Sequence, residues 1–238
     1  MFNLFNKKKK EVDKRAAMIS HYQRWVKPQG LVFDIGANVG NRIDIFLEIG
    51  ANVVAVEPQQ HCVQILKEKF GNKIHIENIG LSNSEGILEF HIADESTISS
   101  FSKEFITKTG SSRFKRNEWK ETIQVPVSTC DKLIGKYGIP DFCKIDVEGF
   151  ELEVLRGLNK KISALSFEYC VPEMADNLYA CLERLDVIDS DASYNYSVGE
   201  SFAMNLDQWL SFPEFLLHVK EKKFHKSLFG DIYIQFSN

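Results

Sequence analysis

The chain has 238 residues, 44% of them hydrophobic, and a formal net charge of −4, which predicts one α/β core of ordinary size. It contains no run of about 18 apolar residues, and the lysines near its N-terminus precede no apolar segment. We therefore expect neither a transmembrane segment nor secretion. Five cysteines without CxxC spacing predict buried thiols in a reducing compartment, and so a cytoplasmic protein without a disulfide framework.

Charge is unevenly distributed along the chain. Residues 1–15 hold six basic and two acidic side chains, and so do residues 101–120. A basic tail and a basic insertion on an acidic body favour an anionic partner. The alternative is that both are merely solvated surface.

The stretch LVFDIGANVG, residues 31–40, predicts a buried strand that ends in a tight glycine turn, and residues 41–48 predict a helix. Gly36 and Gly40 lack a Cβ, so the backbone N–H groups of such a turn can approach a ligand closely. Asn38 stands where many nucleotide-binding turns have a further glycine, and asparagine tolerates left-handed geometry. The stretch therefore predicts a turn that can bind a polar ligand.

A second predicted strand, residues 52–56, is followed by Glu57, which lies 21 positions after Gly36. An acidic residue at about this distance from the glycine turn can accept hydrogen bonds from ribose hydroxyls. The alternative is a tight turn beside a solvent-facing glutamate.

The rest of the chain alternates between helical and extended patterns, as in a doubly wound, mostly parallel sheet. Helices are predicted at residues 14–25, 59–70, 131–137, 151–158, 172–185 and 207–223. Strands are predicted at residues 73–79, 87–92 (as a hairpin-like continuation), 122–127, 164–169, 194–200 and 232–236. Residues 94–121 show no sustained period and predict a long loop insertion with some helix, typical of a lid or binding loop.

Residues 141–149, DFCKIDVEG, predict a buried strand in which Lys144, Asp146 and Glu148 share one parity. Three charges at the centre of a buried strand would be costly, so we expect them at its carboxyl end. In open α/β sheets this end faces the crevice in which ligands bind. Glu168 ends the next predicted strand and is expected at the same crevice.

Taken together, these motifs resemble the FkbM family of S-adenosylmethionine-dependent methyltransferases. The matching segments are residues 33–40, 56–58, 81–82 with Gly86, 99–100, 125–127, 129–131, 144–149 and 151–157, in family order. The first is generic to class I methyltransferases, whereas KIDVEG followed by ELEVLRG is close to diagnostic. The resemblance implies a Rossmann-like sheet of seven strands with an antiparallel last strand. It places the methyltransferase domain at residues 28–238, after a basic tail and helix at residues 1–27.

The resemblance also implies S-adenosyl-L-methionine as cofactor and assigns residues to it by position. The implied cofactor residues are Asp34, Gly36, Asn38 and Gly40 for the amino acid end, Glu57 and Pro58 for the ribose, Asn78, Leu81 and Ser82 for the adenine, and Asp146 at the methyl-transfer crevice. The implied activity is methyl transfer to a hydroxyl of a carbohydrate or glycosylated metabolite. The implied partner is thus a small-molecule acceptor, a sugar or sugar conjugate.

Methyl transfer to an alcohol is an in-line displacement, and a base that takes the hydroxyl proton makes the oxygen a better nucleophile. The candidate catalytic carboxylates are Asp146, Glu148 and Glu168, with either Asp146 or Glu148 favoured as base. In the alternative, Asp146 orients the ammonium of the cofactor and Glu148 caps the next helix. The same carboxylates could ligate Mg²⁺, but no spacing is specific for a metal and none is predicted.

The insertion also offers a candidate acceptor loop, residues 96–120, which could meet a phosphorylated or nucleotide-linked sugar. Its alternative is a solvated loop without a ligand.

Other functions fit parts of the pattern. A nicotinamide oxidoreductase is disfavoured, because the turn is GANVG rather than GxGxxG and no YxxxK pair occurs. Nucleic acid as a partner is disfavoured, because there is no NPPY-like motif and the body of the chain is not basic. A module that binds the cofactor without activity and a methyltransferase of a non-sugar molecule stay open, as does the oligomeric state.

Overall fold

The computed structural model describes residues 13–237; the basic tail predicted at the start of the chain lies mostly outside this range. The helices are α1 (residues 13–22), α2 (Ile43–Ile49), α3 (Gln60–Phe70), α4 (Lys103–Gly110), α5 (Cys130–Tyr137), α6 (Glu151–Arg156), α7 (Ala175–Ile188), α8 (Phe212–Lys220) and α9 (Lys222–His225). The strands are β1 (Leu31–Ile35), β2 (Asn52–Val56), β3 (His75–Glu77), β4 (Gly80–Leu81), β5 (Gly86–Ala93), β6 (Trp119–Ser128), β7 (Phe142–Ile145), β8 (Ala164–Cys170), β9 (Ser193–Val198), β10 (Leu210–Ser211) and β11 (Phe229–Gln235). Within the described range, none of the helices has the length and apolar character needed to cross a bilayer.

Eight strands form the central sheet, in the order β10-β9-β11-β8-β7-β1-β2-β3. Five of them, β3, β2, β1, β7 and β8, are parallel, and β11 runs antiparallel between β8 and β9. The predicted doubly wound sheet with an antiparallel last strand is therefore confirmed, and the two-residue β10 is an additional strand. We call the edge at which Ile35, Val56, Ile145 and Cys170 end their strands, and at which Phe229 begins β11, the carboxyl edge.

The strands β4, β6 and β5 form a second, three-stranded sheet. The predicted hairpin-like continuation of residues 73–79 by residues 87–92 is wrong, because β5 pairs with β6 from Gly86 to Ala93. β4 has only two residues and itself pairs with β6. Two long strands satisfy more backbone hydrogen bonds with each other than either could with so short a neighbour.

The single helix predicted at residues 207–223 is in fact two short helices, α8 and α9, that follow β10. α8 begins where the backbone N–H of Ser211 donates to Glu214 Oε2 (3.0 Å) and Pro213 occupies the first turn. Proline is favoured there because its missing N–H would have no partner within the helix. α8 ends at Glu221, whose ψ of 142° is extended.

Apolar layers cover both faces of the central sheet. Val32 packs into the layer that holds α2, whereas Phe33 and Ile35 pack into the opposite layer with α5 and α6. Successive residues of a strand point to opposite faces, so a strand covered on both sides is apolar over most of its length. Trp25 stacks on Phe142 at 5.2 Å between ring centres and thereby fixes the segment after α1 to the sheet.

Gly157, directly after α6, provides a test of how closely the end of this helix packs against the segment after β4. A Cβ on Gly157 would lie 2.2 Å from the carbonyl oxygen of Ser82. We expect Gly157→Ala to lower the free energy of unfolding by about 2 kcal/mol or more, because two backbone segments would have to separate.

The matched control is Gly135→Ala in α5. A Cβ there meets nothing within 4 Å, and alanine is favoured over glycine in a helix by about 0.5–1 kcal/mol. Urea denaturation of both variants measures the difference. Equal stability of the two variants would contradict a tight contact between Gly157 and Ser82.

Candidate active site

The turn after β1 has the left-handed geometry that the sequence predicts. Gly36, Asn38 and Gly40 have φ values of +82°, +47° and +83°. Gly36 has a second constraint, because a Cβ there would lie 1.8 Å from the carbonyl oxygen of Asp146. The backbone N–H of Asp146 in turn donates to the carbonyl oxygen of Ile35 (2.9 Å). Two segments predicted to be functional therefore meet at the carboxyl edge.

Glu57 follows β2 and is buried, with 2% of its surface exposed. Its carboxylate accepts the backbone N–H of Asn38 at Oε2 and that of Gln59 at Oε1, both at 2.8 Å. Burial raises the pKa of Glu57 to about 7, although these hydrogen bonds act in the opposite direction. The alternative of a solvent-facing glutamate is therefore wrong. The carboxylate keeps lone pairs for further donors, such as ribose hydroxyls.

A cavity of about 230 Å³ opens at the carboxyl edge beside this turn. It brings together eight of the predicted site residues, which are Asp34, Gly36, Asn38, Glu57, Pro58, Leu81, Asp146 and Glu148. Apolar side chains such as Ile79 and Phe101 complete its wall. One cavity thus extends from the end of β2, where a ribose ligand is predicted, to the loop after β7, where a base is predicted.

The other four predicted residues lie beside the cavity rather than on its wall: Gly40, Asn78, Ser82 and Glu168. Gly40 packs on α3, where a Cβ would lie 2.4 Å from the ring of Phe70. Asn78 Nδ2 donates to the carbonyl oxygens of Glu57 (2.9 Å) and Pro58 (3.1 Å), and so supports the wall from behind. Ser82 is buried, and its backbone N–H is bonded to β6.

Lys144 lies within β7, with its side chain 5% exposed and its Nζ 2.6 Å from Asp146 Oδ2. It pairs in register with Asp34 of the neighbouring β1. Burial alone would lower the pKa of this ammonium, but Asp146, Asp34 and Asp231 outweigh it and raise the pKa of Lys144. Lys144 is therefore a permanent positive charge on the cavity wall. Lys144 lies at the carboxyl end of the strand, as the sequence predicts, although within β7 and not after it.

Asp34 is 1% exposed, and its Oδ1 has no hydrogen-bond partner among residues 13–237. Burial raises the pKa of this carboxyl, and Lys144 acts in the opposite direction. A buried acceptor without a partner is costly, so its position on a cavity wall fits a ligand that donates an N–H or O–H.

A cluster of three carboxylates lies after β7 and near the end of β8, formed by Asp146, Glu148 and Glu168. One oxygen of each lies within 4.8 Å of the others, close enough for all three to contact one divalent cation. Burial, and after it the charge of Asp146, raises the pKa of Glu148 and of Glu168 well above the usual value. Proton exchange by these two groups therefore shifts to higher pH.

Residues 96–113, which we call the cover segment, bond to the glycine turn after β1 and to the loop after β2 at their start. The amide Nδ2 of Asn38 donates to Ser96 Oγ (3.1 Å), and Gln59 Nε2 donates to the Ser96 carbonyl oxygen (3.0 Å). The middle of the segment holds the loop after β7, because Ser100 Oγ donates to the carbonyl oxygen of Glu148 (2.6 Å). Glu148 has a φ of +53°, so this bond stabilises a backbone conformation that glutamate rarely adopts.

The end of the cover segment is bonded farther along the carboxyl edge, beside β8 and β11. Arg113 Nη2 donates to the carbonyl oxygens of Val171 (3.0 Å) and Leu228 (3.2 Å). The same group forms an ion pair with Glu173 at 3.0 Å. The cover segment is therefore bonded beside β2, after β7 and after β8, around the candidate site.

Two ionised residues on the cavity wall, Arg42 and Glu200, are absent from the predicted set. Arg42 Nη2 is 3.0 Å from Glu200 Oε1, whereas Arg42 Nε is buried and has no partner in the described part of the chain. Glu200 follows β9, so the strand-end rule that selects Glu57 would have found it. Arg42 carries no such signal, because only the folded turn directs it to the cavity.

The fold and the cavity define a class. Five parallel strands in the order β3-β2-β1-β7-β8, followed by the antiparallel β11 and then β9, form the sheet of class I methyltransferases. A model of the methyltransferase FkbM domain matches residues 34–198. The chain belongs to this family and is a methyltransferase.

Relatives of known type are more distant. Hexuronic acid methyltransferase AglP of Haloferax volcanii is 29% identical over 141 residues, which are 58% of this chain and 53% of that protein. The chain therefore spans about half the length of this curated relative. Two solved structures, each 9% identical with a TM-score of 0.48, are a precorrin-6y C5,15-methyltransferase from Geobacter metallireducens (94% of this chain, 87% of that one) and a TehB-like SAM-dependent methyltransferase from Corynebacterium glutamicum (98% and 97%).

Glu151, at the start of α6, offers a test of the electrostatics around the cluster. It is 3% exposed, and its Oε1 accepts the backbone N–H of Gly149 (3.0 Å) and of Val147 (3.3 Å). Burial raises the pKa of Glu151 to about 7, and the hydrogen bond from Gly149 acts in the opposite direction.

Because the folded-state pKa of Glu151 is raised from 4.5 to about 7, its contribution to stability is complete below pH 4.5 and is lost as the pH rises through 7. In the wild-type protein, Glu151 should therefore lower the free energy of unfolding by about 2–3 kcal/mol between pH 4.5 and 7. We expect Glu151→Gln to abolish this part of the pH dependence. Glu183→Gln, an exposed change on α7, should keep the wild-type dependence. Urea unfolding at several pH values measures it, and an unchanged slope in Glu151→Gln would contradict the raised pKa.

Proposed function

We propose that this protein is an S-adenosylmethionine-dependent O-methyltransferase that acts on a hydroxyl of a sugar or sugar conjugate. The observation that carries the proposal is one cavity that has carboxylates at two separate places on its wall. The buried carboxylate of Glu57 lies on one side, and Asp146 and Glu148 lie on the other. The sugar class is supported by the similarity to a hexuronic acid methyltransferase.

The residues on the cavity wall fit this cofactor group by group. Asp34 Oδ1, a buried acceptor without a partner, would take its ammonium, and Arg42 Nε, a buried donor without one among residues 13–237, its carboxylate. Glu57 would accept the ribose hydroxyls, and Ile79 and Leu81 would contact the adenine. When bound, S-adenosylmethionine supplies a methyl group activated by a sulfonium.

The remaining residues implied by the family have supporting roles in this proposal. Gly36, Asn38 and Pro58 form part of the cavity wall, and Gly36 lets the carbonyl group of Asp146 approach closely. Behind them, Gly40 keeps the turn against α3, and Asn78 holds the carbonyl groups of the loop after β2. Ser82 is buried beside β6 and supports the adenine side through its backbone.

Glu148 is the base in this proposal. Asp146 Oδ2 lies 2.6 Å from the ammonium of Lys144, so this oxygen is already engaged in an ion pair. Glu148 lines the cavity, and burial raises its pKa well above the usual value. A base is most effective when its pKa lies near the working pH. Glu168 does not line the cavity, and the charges of Asp146 and Glu148 are, after burial, among the causes that raise its pKa.

Cofactor binding is the first test. We expect S-adenosylhomocysteine to raise the melting temperature and NADH to leave it unchanged, because a ligand of the folded state stabilises it. In calorimetry, Glu57→Gln should weaken S-adenosylhomocysteine binding about 10- to 100-fold, since a hydrogen bond to a charged acceptor contributes about 1.5–3 kcal/mol. Glu183→Gln is the control of equal charge change. Stabilisation by NADH alone would contradict the proposal.

The base assignment is tested by turnover. Methyl transfer from labelled S-adenosylmethionine to a panel of sugars, sugar conjugates and cell extract identifies the acceptor. With that acceptor, Glu148→Gln should lower kcat about 10²- to 10⁴-fold without weakening S-adenosylhomocysteine binding, because only proton removal is lost. Full turnover by Glu148→Gln would exclude Glu148 as base, and label only in non-sugar products would exclude a sugar acceptor.

A further inference from the structure

The carboxylate of Glu148 is held less directly than that of its neighbour Asp146. Asp146 Oδ2 is bonded to Lys144 Nζ at 2.6 Å, which fixes that side chain at its charged end. Within the described residues 13–237, Glu148 forms no ion pair, and it lines the cavity. The rotamers open to a side chain depend on the φ and ψ of its residue. The direction of the Glu148 carboxylate therefore depends on the backbone that carries it.

That backbone has an unfavourable conformation. Glu148 has a φ of +53°, and Gly149, the next residue, has a φ of +83°. Glycine adopts left-handed geometry readily, whereas a residue with a Cβ does so at a cost in free energy. Such a conformation persists where the surrounding structure fixes it. The contacts that other segments make with Glu148 and Gly149 therefore determine where the carboxylate lies.

Ser100, in the cover segment, makes the first of these contacts. It is 0% exposed, and its Oγ donates to the carbonyl oxygen of Glu148 (2.6 Å) and accepts the backbone N–H of Ser102 (2.8 Å). A hydroxyl has one proton, so these two bonds fix the direction in which it donates. The backbone of Ser100 is itself paired with His91 of β5 by two hydrogen bonds of 2.9 and 3.0 Å. Ser100 is therefore a donor that is anchored to the second sheet.

Phe105, in α4, makes the second contact. A Cβ on Gly149 would lie 2.6 Å from the Cβ of Phe105, which is 1% exposed. α4 begins close by, because Ser102 Oγ accepts the backbone N–H of Phe105 (3.1 Å) and so caps the helix. The cover segment thus contacts both residues of the left-handed pair, Glu148 by a hydrogen bond and Gly149 by close packing.

We propose that Ser100 is a positioning residue for the base: its hydroxyl keeps the backbone of Glu148 in the conformation that directs the carboxylate into the cavity. This inference rests on the proposed function and deepens it. Ser99 and Phe101 line the cavity whereas Ser100 does not, so Ser100 acts on the reaction through Glu148. A catalytic group that is misplaced by about 1 Å can slow a reaction about 100-fold.

The first test is structural and needs no acceptor. Crystal structures of the wild-type chain, Ser100→Ala and Ser102→Ala are compared. We expect the carboxylate of Glu148 to lie on the cavity wall in the wild type and in Ser102→Ala, and to move by about 1 Å or more in Ser100→Ala. Ser102→Ala is the matched control, because it removes a hydroxyl from the same segment without removing the bond to Glu148. An unmoved carboxylate in Ser100→Ala overturns the inference.

The second test is turnover with labelled S-adenosylmethionine and the acceptor found in the sugar panel. Ser100→Ala should lower kcat about 10- to 100-fold and leave KM and S-adenosylhomocysteine binding unchanged, because only the geometry of the base is lost. In a Glu148→Gln background, the same change should lower the remaining kcat by less than about twofold, since residues that act as a unit are not additive. Ser102→Ala should keep the kcat of its parent in both backgrounds.

The outcomes separate the inference from the proposed function. Wild-type kcat in Ser100→Ala, with slow turnover in Glu148→Gln, overturns the inference alone. An equal loss of kcat in both backgrounds also overturns it, because Ser100 would then act on the structure in general. Full turnover in Glu148→Gln removes the base assignment, and the inference with it. If urea unfolding shows that Ser100→Ala does not fold, Ser100→Cys replaces it in both tests, because a thiol fills the space but is a weak donor.

Discussion

The buried ammonium of Lys144 is the interaction on which the candidate site depends. It lies on the central strand β7, between β1 and β8, and the three carboxylates that raise its pKa belong to β1, the loop after β7, and β11. Without this cation, acids on neighbouring strands would face one another in a poorly solvated place, where ionisation is unfavourable. The same ion pair holds Asp146, whose carbonyl group lies against Gly36. One charge thus supports both the acidic crevice and the position of the glycine turn.

This arrangement gives neighbouring carboxylates different properties. Asp146 has a permanent counterion, whereas Glu148, two residues later, has a raised pKa and a backbone held by Ser100. Two neighbouring carboxylates thereby have different surroundings, one beside a cation and one buried without an ion pair among residues 13–237. The cover segment contributes directly, since it bonds to the backbone of Glu148.

Sequence patterns predict the turns and strand ends of the site better than the contacts between its buried side chains. The glycine turn, Glu57 and the carboxylates after β7 could be found because buried strands and turn residues have local signatures. Lys144 could be placed at the strand end, but not its burial, since that depends on the neighbouring strand that carries Asp34. Asp231 escapes the strand-end rule for a geometric reason: its strand is antiparallel, so its first residues, not its last, reach the carboxyl edge. The pairing of β5 with β6 likewise depends on a contact between segments far apart in the chain.

The cover segment connects the glycine-turn side of the candidate site to the side beside β8 and β11 through hydrogen bonds at its two ends. Ser96 is bonded to Asn38 and Gln59 at one end, and Arg113 is bonded to Val171 and Leu228 at the other. Whatever immobilises one end reduces the conformational freedom left at the other, so the second ligand to arrive has less entropy to overcome. Under the proposed function, cofactor and acceptor should therefore bind with positive cooperativity, and loss of the demethylated cofactor should loosen the wall that retains the product.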